Sequence, residues 1–471
     1  MNTRLDPGSS GAGAKRIVAI LMVPTLTMII MMAMFTVAVP FIRTEQNLSP
    51  DVASWLLVAY TLPNMMLMPL YGRLGDGVGK RRLLLAGIAV FVAGTALLAS
   101  VRSFPLVLVA RAVQGAGAAG INPLAMAVIV EFVPPEQRGK ALGTWNSSGP
   151  IAGVLGPLVA GGLIDALGWR SILIPALVVG VGALIVMWIM LPATRHPVSV
   201  RRAVRSLDWT GVFLFNSAVA LLVFFTSSRP ITGADPLTDI RLLVGGLLLL
   251  GGFVWWSLSR TDPFIDLSIF RVRNFTFAST SVSLRMALRG GTGFLLPLFV
   301  ADVYGFSASA VGALLMLDAG ALLATMWLGG IVIDRAGSRY HVVAGLGAQT
   351  VAMLALVLLP AGASPAWVFV ILAFNGLGAG YCLAPLHLYA LAGVSHDKAA
   401  TAAGLYSMIR FAGSMLGAAI GGIILAVGVE RAGASVGGFR PAFVFLLVVG
   451  VAGVLSAFGL TRRVPAETPT R

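Results

Sequence analysis

Long apolar runs, each able to cross a hydrocarbon core of about 30 Å, alternate with short polar breaks along almost the whole chain. They fall near 17–40, 52–71, 83–100, 104–131, 141–164 and 171–191, and again near 276–300, 308–333, 341–359, 366–390, 400–427 and 440–460. Two more, near 209–226 and 241–258, lie between these blocks of six. The pattern predicts an all-α integral membrane protein: fourteen transmembrane helices, in two pseudo-symmetric six-helix halves plus two inserted helices. An even count places both termini on one side.

The polar breaks sharpen this reading. One is the turn Gly72-Arg73-Leu74-Gly75-Asp76-Gly77-Val78-Gly79-Lys80-Arg81-Arg82, and a degenerate second copy, running from Gly330 through Asp334 and Arg335 to Arg339, occupies the equivalent place in the second block. A charged, glycine-rich turn used twice implies two related halves. The domain plan is then a tail over 1–16, a first half over 17–191, a basic linker over 192–208, the inserted pair over 209–258, an interfacial segment over 259–275, a second half over 276–460 and a tail over 461–471. No short apolar core followed by a small-residue cleavage site occurs near the start, so the first helix is expected to be retained.

Composition agrees, with 58% hydrophobic and 11% charged residues and a mean hydropathy of +0.92. The net charge of +15 does not signal nucleic acid, because the basic residues are spread over short loops rather than gathered on one face. Placing the termini inside puts 22 of the 33 Lys and Arg residues in inner loops and tails, against seven outside: Arg43, Arg102, Arg170, Arg229, Arg241, Arg431 and Arg440. That bias follows the positive-inside rule and predicts cytoplasmic termini. The lone cysteine, Cys382, excludes an internal disulfide, and the four histidines show no metal-ligand spacing, so neither metal nor cofactor is expected.

These features resemble the major facilitator superfamily, specifically its fourteen-helix drug exporter (drug:proton antiporter) branch, across nearly the whole chain. The resemblance implies that Gly72, Asp76, Gly79, Lys80 and Arg81, with Asp334, Arg335 and Arg339 in the second copy, form a latch controlling the two halves. In the fourth run Arg111-Ala112-Val113-Gln114-Gly115 is similar to a second family motif. Arg111 and Asn122 lie about three turns apart with Gln114 nearby, a polar stripe inside lipid; coupling and plain helix registration are both open for Arg111. The fifth run carries Gly149, Pro150, Gly153, Gly156 and Pro157, similar to the motif of exporters. Its GxxxG spacing also suits close helix packing of any kind.

Two departures from the branch change the chemistry. An Asp is usual in the first helix about nine residues before its final Pro; here that position is Met31, in a methionine-rich wall with Met28, Met32 and Met34. The ninth run instead carries Arg285 and Arg289 one turn apart. At about 1.5 Å per residue they lie about 14 and 20 Å from its inner end, and Asp318 lies about 15 Å from the outer end of the next run. A pair between Asp318 and either arginine is therefore within reach. Counting Arg111, Arg285, Arg289 and Arg410 against Asp318, the deep ionisable residues are four positive and one negative.

The expectation is a secondary transporter, not an enzyme: an efflux permease moving an amphipathic small molecule by alternating access, with acidic or anionic substrates favoured. The alternatives are a proton-coupled multidrug exporter of cationic or neutral drugs, with Asp318 as proton carrier, and a transport-inactive membrane scaffold or sensor. The expected partners are a small-molecule substrate, a coupling proton in the second reading, and the lipid bilayer. A monomer in a bacterial inner or plasma membrane is expected.

Overall fold

The structure is a computed structural model that describes residues 11–191, 207–226, 233, 235, 237–260, 263–336, 338–391, 394 and 399–462; within these, the side chains of 11, 12, 73, 76, 77, 135, 136, 139, 327–336, 338, 391 and 399–401 are excepted. Among the described residues fourteen helices are long and apolar enough to cross a membrane: α1 (Gly13–Glu45), α2 (Pro50–Gly72), α3 (Lys80–Ser100), α4 (Phe104–Phe132), α5 (Lys140–Leu167), α6 (Trp169–Met190), α7 (Trp209–Thr226), α8 (Ile240–Ser259), α9 (Arg273–Tyr304), α10 (Ala308–Met326), α11 (Arg339–Val357), α12 (Pro365–Ala390), α13 (Ala402–Ala432) and α14 (Val436–Ala457). The chain is an integral multi-pass membrane protein.

Packing repeats between the two blocks. In the first, α1 packs on α5 and α6, α4 on α2 and α3, and α3 on α6; in the second, α9 packs on α13 and α14, α12 on α10 and α11, and α11 on α14. The blocks meet where α2 crosses α13 and where α5 crosses α10, a pair of contacts that exchange under the same symmetry. The inserted helices pack mainly on each other, and α7 packs on the body at α2 and α13. Burial follows: 67% of the core window of α2 is inside the protein against 17% of α8, which faces lipid.

Local chemistry sets the breaks. Gly79 takes φ of +102° at the end of the wide turn Gly75–Gly79, a backbone that L side chains resist. Lys80 Nζ then reaches Glu131 Oε2 on α4 at 2.7 Å, and the Arg81 guanidinium donates to the Trp188 carbonyl on α6. In the second block Arg339 lies 5.7 Å from the ring centroid of Phe458, just past α14, the counterpart of α6. Each described contact of the two turns stays within its own half. The side chains of Asp76, Asp334 and Arg335, and the linker over 192–206, lie outside the described residues.

A short 3-10 helix, Leu267–Arg271, occupies the expected interfacial segment. Asp208 ties it to the inserted pair: one carboxylate oxygen accepts from Gly211 N at 3.0 Å and Trp256 Nε1 at 2.8 Å, and the other from Phe264 N at 3.0 Å. Burial alone would raise this carboxyl's pKa, but those three donors, with Arg260 nearby, outweigh it and hold the pKa below the usual carboxylate range.

Candidate functional site

Seven helices surround a cavity of about 340 Å³ at mid-height between the blocks. Its first-block wall comes from α1, α2 and α5 and carries no charge: Ile29, Met32, Ala33, Leu57, Gly149, Pro150, Gly153 and Pro157 are its apolar part. Thr36 and Thr61 also face it, but each hydroxyl donates to the carbonyl one turn back, Met32 O at 3.1 Å and Leu57 O at 2.9 Å. The second-block wall, from α9, α10, α12 and α13, presents Arg285, Arg289, Asp318, Asn375 and Arg410. The cavity therefore has one oily and one charged side.

The charged side is only partly self-satisfied. Arg289 pairs with Asp318 Oδ2, while Asp318 Oδ1 accepts from Asn375 Nδ2 at 2.9 Å. Both carboxylate oxygens are thus engaged. Arg285 is 3% exposed; its Nη2 donates to the Ala379 carbonyl at 2.7 Å, where α12 breaks. The Nε groups of Arg285 and Arg410 find no hydrogen-bond partner among the described residues. Buried polar atoms normally have one, so these two guanidinium groups, with the unpartnered acceptor Asn375 Oδ1, form the unsatisfied part of the wall among the described residues.

The structure separates residues that the sequence grouped. Arg111 is fully buried within the first block, not at the cavity. Its Nε donates to Leu56 O and its Nη1 to Gln114 Oε1, each at 3.0 Å, and its guanidinium carbon lies 3.9 Å from the Phe35 ring centroid and 4.6 Å from that of Tyr60. Gln114 continues the chain to Thr95 at 2.8 Å. These contacts register α1, α2, α3 and α4, and the cavity count of charges becomes three positive and one negative. Asn122 is also absent from the lining. Met31 is 1% exposed in the apolar core, and its neighbour Met32 lines the cavity instead, because successive residues point about 100° apart around a helix.

The glycine-rich stretch of α5 divides similarly. A Cβ on Gly149 would meet nothing within 4 Å, whereas one on Gly153 would lie 3.2 Å from Ala319 of α10 and one on Gly156 2.7 Å from Ala33 of α1. The close-approach surface is therefore Gly153 and Gly156, and Gly149 borders open space.

Sequence reading missed how the cavity is closed at the end away from the chain termini. Arg43, at the end of α1, pairs with Asp302 of α9. Asp165, at the end of α5, accepts from Ala308 N and Ser309 N at 2.9 Å each, so a carboxylate of one block caps the first turn of α10 in the other. Backbones press together beneath: a Cβ on Gly312 would lie 2.3 Å from Pro157 O, and one on Gly422 2.9 Å from Ser54 Cβ. Among the described residues no ion pair joins the blocks at the opposite end. Arg43→Ala combined with Asp165→Ala is expected to favour opening of this closed end. Measured as the maleimide labelling rate of a cysteine placed at the buried seal position Ala308, the increase should be about tenfold, since two such contacts are together worth about 1–2 kcal/mol; an unchanged rate would show that the glycine contacts alone hold the seal.

Comparison with known proteins places these features in context. Residues 21–418 match the family model described as Major Facilitator Superfamily. The chain is 28% identical to Multidrug resistance protein Stp of Mycobacterium tuberculosis over 391 residues, covering 83% of this chain and 72% of that one. It is 26% identical to the uncharacterized MFS-type transporter YcnB of Bacillus subtilis over 458 residues, 96% of each. Among solved structures, a bacterial homolog of the human lysosomal transporter Spinster superposes with a TM-score of 0.67 at 17% identity, covering 98% of this chain and 100% of that one.

Proposed function

The chain belongs to the Major Facilitator Superfamily, and on that premise we propose that it exports amphipathic small molecules, acidic ones preferentially, by alternating access. It is a membrane transporter and not an enzyme. The observation that carries the substrate reading is the two-sided cavity, oily on α1, α2 and α5 and cationic on α9 and α13. The multidrug resistance name of the relative supports export as the direction. The bias of Lys and Arg toward one set of loops supports cytoplasmic termini, which makes the end sealed by Arg43, Asp302 and Asp165 the outer one. The halves 17–191 and 276–460 then rock about the cavity, with 209–258 carried at the side. One chain completes the cavity, which supports a monomer as the working unit.

Proton coupling is the second reading, favoured by Asp318 as a carboxylate in the cavity wall. Both of its oxygens are already engaged, by Arg289 and Asn375. In proteoliposomes, flux of a lipophilic probe should exceed that of empty vesicles. In Asp165→Cys/Ser309→Cys, a short reducible thiol cross-linker should bring that flux to background, and reductant should restore it. Flux unaffected by cross-linking would reject rocking at this seal. Protein-dependent flux of no probe of any charge would favour a scaffold or sensor. A pH-gradient dependence lost in Asp318→Asn would establish the proton reading.

A further inference from the structure

The charged wall holds three guanidinium groups, but they are not equivalent. Arg289 is already neutralised by Asp318, and Asn375 holds that carboxylate's second oxygen at 2.9 Å. Arg285 donates to neutral acceptors, the Ala379 carbonyl at 2.7 Å and the Met286 sulfur at 3.6 Å, and also contacts the Cys382 thiol. Its Nε, like that of Arg410, has no hydrogen-bond partner among the described residues. Two cationic forks therefore face the cavity without an anion of their own among the described residues.

A carboxylate or sulfonate presents enough lone pairs to accept from both forks at once. A second acid group on the same molecule would require its own donor set, and the remaining guanidinium is the one Asp318 occupies. Across the cavity the wall offers Ile29, Met32 and Leu57, with the Thr36 and Thr61 hydroxyls turned to their own helix. Only an apolar body is satisfied there. The cavity volume, about 340 Å³, lies at the small end of the range for ligand pockets.

We propose, resting on the exporter reading above, that the cavity selects amphipaths bearing a single acid group, whose head is clasped by Arg285 and Arg410, and that Asp318 fixes this valence by withholding Arg289. Asp318 is in this role an internal competitor: a fixed carboxylate holding the site that a second substrate carboxylate would otherwise take. Its removal releases a third fork into the cavity without changing the cavity's shape.

A matched set of probes tests this: 2-naphthylacetate with one negative charge, 2-naphthylmalonate with two, 2-naphthaleneethanol with none and 2-naphthylethylammonium with one positive. Equilibrium binding is measured on the purified full chain in lipid nanodiscs, and flux of the same probes in proteoliposomes. The wild type should bind the monoanion most tightly. Arg285→Gln and Arg410→Gln should each weaken monoanion binding on the order of 10- to 100-fold, the range for lost charge-assisted hydrogen bonds, with the alcohol unchanged. Asp318→Asn should raise dianion affinity about tenfold relative to the monoanion, for one gained contact of that kind. Arg285→Lys, which keeps the charge, should recover part of the loss, and matching thermal unfolding of all variants separates binding from folding. Equal wild-type binding of cation and monoanion, or a dianion-to-monoanion ratio unmoved by Asp318→Asn, would overturn the proposal. Flux decides the exporter reading separately: a transported cation with no acid preference leaves alternating-access export standing but removes its acid preference and this proposal with it.

Discussion

Arg111→Ala is expected to destabilise the protein by about 3–5 kcal/mol, from two buried acceptors left without donors at about 1–3 kcal/mol each and the lost contact with two aromatic rings. The Leu56 carbonyl and Gln114 Oε1 lose their donors in the core of the first block, and the Phe35 and Tyr60 rings lose the cation between them. A stability of typically 5–15 kcal/mol leaves little margin, so the folded yield after detergent extraction should fall sharply. Arg111→Lys should fall between the two, because an ammonium keeps the charge but not the planar fork or the ring stacking. The measurement is thermal unfolding alongside flux. Full stability with lost flux would instead assign Arg111 to coupling, the other role that its motif implies.

Gly290→Leu is expected to be as damaging by a different mechanism. Even a Cβ at this position would lie 1.9 Å from the Ser414 carbonyl oxygen on α13, and backbone cannot rotate aside as a side chain can. The α9 and α13 helices, the most extensively packed pair of the second block, would have to separate. Overpacking of this kind costs about 1–3 kcal/mol for one or two methylenes and more for a whole side chain, and the displaced helices also carry Arg285 and Arg410. Gly149→Ala is the control, since its added Cβ meets nothing within 4 Å; it should change stability by less than about 0.5 kcal/mol. Equal unfolding temperatures for Gly290→Leu and wild type would contradict the close approach.

The contrast between Gly290 and Gly149 shows where sequence reading stops. Gly149 stands in a GxxxG spacing and attracts attention; Gly290 stands in a Gly-Gly pair with no such pattern, yet among the described glycines it leaves the least room for a Cβ. Spacing reports which residues share a helix face. It does not report what the face meets. Asp165 was unremarkable for the same reason: its partners are the backbone N–H groups at the start of α10, which no side-chain pattern announces. Met31 stood where the resemblance places a charged residue, but it packs in the core and Met32 takes the cavity position, a difference of one residue that hydropathy cannot resolve.

The sequence by itself determined the fourteen spans, the repeat and the side bias of the basic loops, because crossing about 30 Å of hydrocarbon demands a minimum apolar length and leaves charge only in the breaks. It also set depths that put Asp318 within reach of either Arg285 or Arg289, because helical rise is fixed, and the structure selects Arg289. Tertiary structure alone decided that Arg111 turns into the first block and Arg285 and Arg410 into the cavity, that one cavity wall is oily and the other cationic, and that Asp165 and Asp302 seal one end. The physical reason is that lipid tails and protein interior are equally apolar. Hydropathy therefore records how deep a residue lies, while the direction it faces is settled only by the packing of one helix on the next.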